Sequence, residues 1–170
     1  MRLLRRYLVV VVEGWSMYPT YADGDRLLAR RAKQSTNQQA VPPSAGSIVV
    51  VPRPDERDGW RRPLPTRLAA VAGLFVKRVA ASAGDEVPAD FRDAVGAAGP
   101  DCRVPTGMLL LVGDHPGSRD SKQHGYCPAD QVIALVVRRI SASGHLVPPS
   151  VLDPEVPHRP HRTHRSTKTA

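Results

Sequence analysis

Aromatic residues are scarce in this chain, at 5% of its length. That argues against single-strand nucleic-acid binding, which relies on stacking bases on aromatic rings. Cysteine is scarcer still. Cys102 and Cys127 share no CxxC spacing, so zinc and dithiol motifs lack support; a single disulfide between them is not readable from sequence, and two unpaired thiols are expected. No apolar run approaches the roughly 20 residues of a membrane span. Leu8 to Val12 is short and is ended by Glu13. The basic start, Met1-Arg2-Leu3-Leu4-Arg5-Arg6, opens like a secretory leader, but no small-residue cleavage site follows the apolar run. The sequence contains no H-E-x-x-H for zinc hydrolysis and no G-x-S-x-G serine elbow. It has no internal repeat and no convincing helical period.

Positive charge is what the chain has in excess. Lys and Arg number 24 against 16 Asp and Glu, for a formal net charge of +8 and a pI of about 10.2. Such a balance suits an anionic surface, either nucleic acid or lipid head groups, without choosing between them. The length of 170 residues suits one domain with a real core.

Tyr7 to Glu13 is rich in β-branched residues and reads as a strand. Further strands are expected near Asp25 to Arg31, over Ser47 to Val51, Leu74 to Val79, Met108 to Val112 and Val132 to Val137. Lys33 to Gly46 reads as a surface loop, and Arg53 to Pro65 as a solvated loop or a disordered insert, with Trp60 giving part of it something to dock. Ser82 to Asp85 and Pro128 to Gln131 read as turns. Pro88 to Pro100 is expected to be irregular, and Gly113 to Cys127 a polar loop. From Pro148 onward the chain loses its apolar period. The pattern predicts an all-β domain over 1–147 with long loops, then a disordered basic tail over 148–170.

Two residues hold chemical interest. Ser16 sits in Gly14-Trp15-Ser16-Met17-Tyr18-Pro19-Thr20, a tight corner just after the first strand. A hydroxyl held there is placed as a nucleophile would be, or bonds its own backbone as loop serines do. Lys77 lies mid-strand between Phe75, Val76 and Val79. Strand alternation puts Phe75, Lys77 and Val79 on one face and Val76 and Arg78 on the other. The lysine stem either snorkels to water or buries its amine, which lowers the pKa and makes a general base. His115 and His124 remain open as alternative bases.

Three stretches, in order, resemble the signal peptidase I family of serine–lysine endopeptidases. The first is Gly14 to Thr20 with Gly24-Asp25. The second is Lys77-Arg78-Val79 with Gly84-Asp85. The third is Gly113-Asp114, then Ser118, Asp120-Ser121 and Gly125. Gly46 to Val50 is similar to the family strand between the first two.

The resemblance implies a fold of coiled antiparallel β-sheets and no cofactor or metal. It implies Ser16 as nucleophile, Lys77 as general base and Ser118 as the serine orienting that lysine. Asp120 would be a supporting acid paired with Arg78 or Lys122. It also implies an extended substrate paired by its main chain beside Val9–Glu13 and Gly73–Val76, with Val11, Glu13 and Phe75 lining the groove. Trp15 and Tyr18 would pack, line that groove or touch lipid. The implied partner is a precursor protein or signal peptide, cut after small residues as in Ala-x-Ala. No nucleic acid is expected. The expected location is an extracytoplasmic membrane surface, held by anionic lipid rather than by a span in this chain.

Some positions depart from the family pattern. Gly14 stands where some relatives have a hydroxyl, Lys122 for arginine, His115 for asparagine and Ser47 for aspartate. Ala81 and Ala83 replace glycine and proline. Competing readings are a soluble peptidase for one dedicated precursor, an autoproteolytic repressor-type domain, and a non-catalytic basic β domain that binds membrane or nucleic acid. His158, His161 and His164 fit a solvated tail better than a metal site.

Overall fold

A computed structural model of the chain describes residues 6–32, 43–55, 59–60, 73–97, 99 and 102–142. The expected tail over 148–170, and most of the Lys33 to Gly46 and Arg53 to Pro65 segments, lie outside the described residues.

Seven strands form one sheet. They are β1 (Tyr7–Val11), β2 (Arg26–Arg31), β3 (Ile48–Pro52), β4 (Leu74–Ser82), β5 (Met108–Val112), β6 (Cys127–Pro128) and β7 (Ala134–Ser141). Their order across the sheet is β1-β2-β7-β3-β4-β5-β6, and every neighbouring pair is antiparallel. The expected all-β class is what the chain adopts.

Period-two alternation sets the faces. In β2, Leu27 and Ala29 are buried while Arg26 and Arg30 are exposed. β3 is central, and its consecutive Val49, Val50 and Val51 are all fully buried. Val50 joins one core cluster with Val10, Val12, Met17, Leu27, Ala29, Val76 and Ala134. Val49 and Val51 join another with Val79, Leu109, Leu111 and Cys127. A strand covered on both faces reads as an unbroken apolar run, which is why β3 shows no alternation. A third cluster gathers Ala81, Val87, Phe91, Val104 and Leu110.

The sheet coils. Ser16 follows β1 and His115 follows β5, five strand positions apart. On a flat sheet that is roughly 24 Å. Yet the His115 backbone N–H donates to the Ser16 carbonyl at 3.2 Å. The ends of the chain's β1 and β5 strands are therefore brought together by curvature, and the chemistry-bearing residues gather where they meet.

Several boundaries differ from the sequence reading. β4 runs on to Ser82 because Ala81 and Ser82 pair with Leu110 and Leu109 beyond an irregularity after Val79. β7 starts later and runs to Ser141, since Arg138, Arg139 and Ser141 stay paired to β2 through two irregularities. Charged residues at exposed strand positions hid that extension. Pro88 to Pro100 is not irregular throughout. It holds 3-10 turns at Ala89–Phe91 and Asp93–Val95, with Phe91 buried and Gly96 left-handed at φ 62. The Gly113 to Cys127 loop contains a helix, α1 (Ser121–His124), and the expected turn after Cys127 becomes β6 and a 3-10 turn over Ala129–Gln131.

Among the open edges of the described pairings are those of β1 and of the first part of β4. β1 pairs only with β2. β4 pairs with β5 only from Arg78 onward, so Leu74 to Lys77 bond on the β3 side alone.

Candidate active site

The corner that carries Ser16 is fixed from below. The Val12 N–H donates to the Asp25 carbonyl at 2.9 Å, and the Gly24 N–H to the Val12 carbonyl at 2.8 Å. The Gly14 N–H donates to Asp23 Oδ1 at 2.6 Å. Gly14 has φ +78, a conformation that costs glycine little and other residues more. The Met17 side chain is fully buried in the core beneath, which pins the turn beside Ser16. Trp15 and Tyr18 meet edge to face, with centroids 6.0 Å apart.

Lys77 settles the choice between snorkelling and burial. It is 2% exposed, the largest fully buried side chain among the described residues. Its Nζ donates to Ser118 Oγ at 2.8 Å and lies 4.9 Å from the centre of the Phe75 ring. Burial lowers its pKa from 10.5 to about 8, opposed by the Asp120 carboxylate and aided by the Lys122 charge. Holding an amine there costs about 3 kcal/mol relative to water. A buried lysine that gives up its proton near pH 8 is competent to accept one from a neighbouring hydroxyl.

Ser118 is buried, and its N–H donates to the His115 carbonyl at 2.9 Å. Gly113 lies between Ser118 and the Ser16 turn. A Cβ at Gly113 would overlap Ser118 Oγ, Ser118 Cβ and the Ser16 carbonyl oxygen. One glycine thus lets the Ser16 turn, Ser118 and, through Ser118, Lys77 close on a single point.

Asp120 organises the strand-to-helix passage. One oxygen, Oδ2, accepts from the Gly113 N–H at 3.0 Å, and Oδ1 accepts from the Lys122 N–H at 3.1 Å. The Lys122 ammonium lies 2.9 Å from the carboxylate. Gln123 Oε1 accepts from the Asp120 N–H at 2.9 Å, which completes a capping box on α1. Of the two cations expected for Asp120, Lys122 is the partner. Arg78 turns instead to Asp114, with Nε 2.8 Å and Nη2 2.6 Å from its two oxygens. Strand alternation explains the difference, since Arg78 and Lys77 point to opposite faces.

Asp114, Thr20 and Gly113 fall within the stretches read from sequence, but no role was assigned to them there. Arg78 joins Asp114 to Thr20 Oγ1 at 3.3 Å and to the Gly46 carbonyl at 3.2 Å. One guanidinium therefore ties the Ser16 turn, the strand of Lys77 and the loop of Ser118. Burial pushes the Asp114 carboxyl up, but hydrogen bonds from Arg78 and Thr20 together with the charges of Arg78 and Lys77 outweigh it and hold it below the usual range. Ser121 was given no role of its own either; its Oγ accepts from the Leu111 N–H at 2.9 Å. The legible signal was Asp120-Ser121-Lys122-Gln123, which fits a capping box.

Val11 and Glu13 are exposed, on β1 and just past its end, and Phe75 is half-buried on the open stretch of β4. The Phe75 ring also carries the Arg53 guanidinium at 5.3 Å. His115 Nδ1 accepts from the Gly117 N–H at 3.1 Å, so that ring nitrogen serves its own loop. His124 sits in the last turn of α1. Cys102 and Cys127 form no disulfide. Among the described residues no group of three or more His, Cys, Asp or Glu is arranged to hold a metal ion, and no helix is long and apolar enough to cross a membrane. His158, His161 and His164 lie outside the described residues.

No curated protein matches the chain. The family model described as signal peptidase, peptidase S26, matches residues 4–99, a span that includes Ser16 and Lys77 and stops before Ser118. The chain belongs to the signal peptidase S26 family.

Proposed function

We propose that this protein is a serine endopeptidase that removes signal or leader peptides from precursor proteins, using Ser16 and Lys77 as its catalytic pair. The observation that carries the reading is Lys77, an amine 2% exposed, bonded to Ser118 and lowered to about pKa 8, beside the turn that holds Ser16.

The precursor lies extended between the open edge of β1 and the open stretch of β4, pairing through its main chain. Val11, Glu13 and Phe75 border that path. Ser16 Oγ attacks the scissile carbonyl carbon, and its proton passes to neutral Lys77 Nζ. The Ser16 N–H stabilises the oxyanion. Gly14 adds no hydroxyl to that task. The C–N bond then breaks as the Lys77 ammonium returns the proton to the leaving amine. A water attacks the acyl-Ser16 ester with Lys77 again as base, which releases the leader's carboxylate and restores Ser16. Ser118 holds Lys77 in place throughout, and Asp120 holds Ser118's loop. Small residues at the cut, as in Ala-x-Ala, suit this reading. Its setting is an extracytoplasmic membrane surface, where precursors emerge.

The test is cleavage of a peptide whose apolar stretch ends in Ala-x-Ala, with and without detergent or lipid. Wild type cuts after the second alanine, and Ser16→Ala loses roughly a thousandfold or more of that rate while remaining folded. Equal rates in the two proteins would overturn the assignment.

A further inference from the structure

Arg53 is a cation that the mechanism above leaves unused. It stands one residue past β3, and its N–H donates to the Gly73 carbonyl at 3.2 Å, so the pairing of β3 with β4 runs on to it. Alternation puts its side chain on the face of Val49 and Val51. Val51 pairs with Phe75 and Val49 with Lys77, and residues directly opposite share a face. Arg53, Phe75 and Lys77 therefore stand in a row on one side of the sheet. The distances agree. The Phe75 ring centre lies 5.3 Å from the Arg53 guanidinium carbon and 4.9 Å from Lys77 Nζ. The Arg53 charge is felt at that amine, whose proton affinity it lowers.

The other cations around the site are taken, Arg78 by Asp114 and Lys122 by Asp120. Arg53 is exposed, and among the described residues no carboxylate pairs with it. An aromatic face holds a guanidinium in place without neutralising it. Its donors stay available to a carboxylate, for which their fork is shaped. The groove is where such a carboxylate would come from. Over Leu74 to Lys77, β4 bonds to β3 alone, so its other edge is open beside Phe75. A substrate strand paired there runs about 4.8 Å from β4. Its residue opposite Phe75 turns its side chain to the Phe75 face, towards the guanidinium. Phe75 is two residues from Lys77 along the strand, so that substrate residue lies two residues from the cut.

We propose that Arg53 is a specificity-determining residue, which recognises an acidic side chain of the precursor two residues from the cut. The proposal rests on the peptidase reading above and adds a substrate feature to it. Two positions meet the description, according to the sense in which the substrate runs along β4. One is the middle residue of Ala-x-Ala, and the other is the second residue after the cut. An aspartate there accepts from the guanidinium. A lysine there meets like charge, and a neutral side chain leaves Arg53 to water.

The test compares kcat/KM for Ala-x-Ala peptides that differ only in carrying Asp, Asn or Lys at one of those two positions. It uses the full chain at low salt and at a pH above that at which Lys77 becomes neutral. Ratios between peptides are taken within one enzyme, so a change in Lys77 or in folding cancels. Wild type cuts the Asp peptide roughly three- to tenfold faster than the Asn peptide at one of the two positions, and the Lys peptide more slowly than either. The position that responds gives the sense of the substrate strand. Arg53→Gln brings the Asp/Asn ratio close to one, Arg53→Lys keeps part of it, and Arg53→Glu favours Lys over Asp. The wild-type ratio also shrinks as salt is raised. Equal Asp and Asn rates at both positions in wild type, or a wild-type ratio that survives Arg53→Gln, would overturn the role of Arg53 and leave the peptidase reading standing. Cleavage of none of the peptides by wild type would overturn that reading and the proposal with it.

Discussion

At the scale of the residue, Lys77 is the group whose state the fold controls most strongly. Its sign with pH is definite. Its folded pKa, about 8, lies below its ordinary 10.5, so the folded chain loses the proton first. Below about pH 8 the buried ammonium is a burden on stability. Between about pH 8 and 10.5 the unfolded chain binds more protons, and stability rises with pH. The gain is at most about 3 kcal/mol. Denaturant midpoints taken from pH 7.5 to 10 on wild type and on Lys77→Met measure it: the difference between them narrows as pH rises, while a constant difference would mean that Lys77 is not perturbed. Ser118→Ala removes the acceptor for Lys77 Nζ. It is expected to lower the Lys77 pKa further and to slow cleavage by roughly 10- to 100-fold. Ser118→Thr, which keeps a hydroxyl, restores part of the rate if the bond itself matters.

At the scale of the element, the passage from β5 to α1 sets the site. Gly113 admits no Cβ, because Ser118 and the Ser16 carbonyl fill the space. Gly113→Ala is expected to destabilise by about 1–3 kcal/mol and to reduce cleavage beyond what lost folding explains. Asp120→Ala removes a helix cap, the acceptor of the buried Gly113 N–H and the partner of Lys122. Its expected cost is about 2–4 kcal/mol, read from thermal or denaturant unfolding. A change under 0.5 kcal/mol would show that the cap and the loop are held by other contacts. The strands were largely legible because their apolar runs are short and bounded by turn residues. Met108–Val112 and the start of β4 fall where the pattern puts them. The helix α1 was not legible as a helix. Four residues carry no period, and only the Asp120–Gln123 spacing marks it. The far end of β7 was hidden because Arg138 and Arg139 are held by main-chain pairing, which side-chain pattern does not report.

At the scale of the whole molecule, the coil of the sheet does what no local stretch can. It carries residues 16, 77, 113 and 118 to one place from three separate regions of the chain. Sequence motifs named Ser16, Lys77, Ser118 and Asp120, since each box keeps its own residue types. They could not assign Arg78 to Asp114 rather than Asp120, because that choice depends on which face of β4 meets which loop. Nor could they separate a snorkelling lysine from a buried one, a distinction made by the packing around β4. The open edges of β1 and β4 lead to a further expectation. A substrate peptide N-methylated at a residue that pairs with either edge should be cleaved roughly tenfold or more slowly than its parent, without a change in side chains. Equal rates would argue that side-chain contacts alone place the substrate.

The central claim is that a buried lysine is the base for Ser16. The most direct measurement is kcat/KM for an Ala-x-Ala peptide as a function of pH, on wild type with Ser16→Ala as the blank. The expected profile rises through an apparent pKa of about 8, the value at which Lys77 becomes neutral. A profile that rises instead near the ordinary histidine pKa of roughly 6.5 would contradict it and turn attention to His115 or His124.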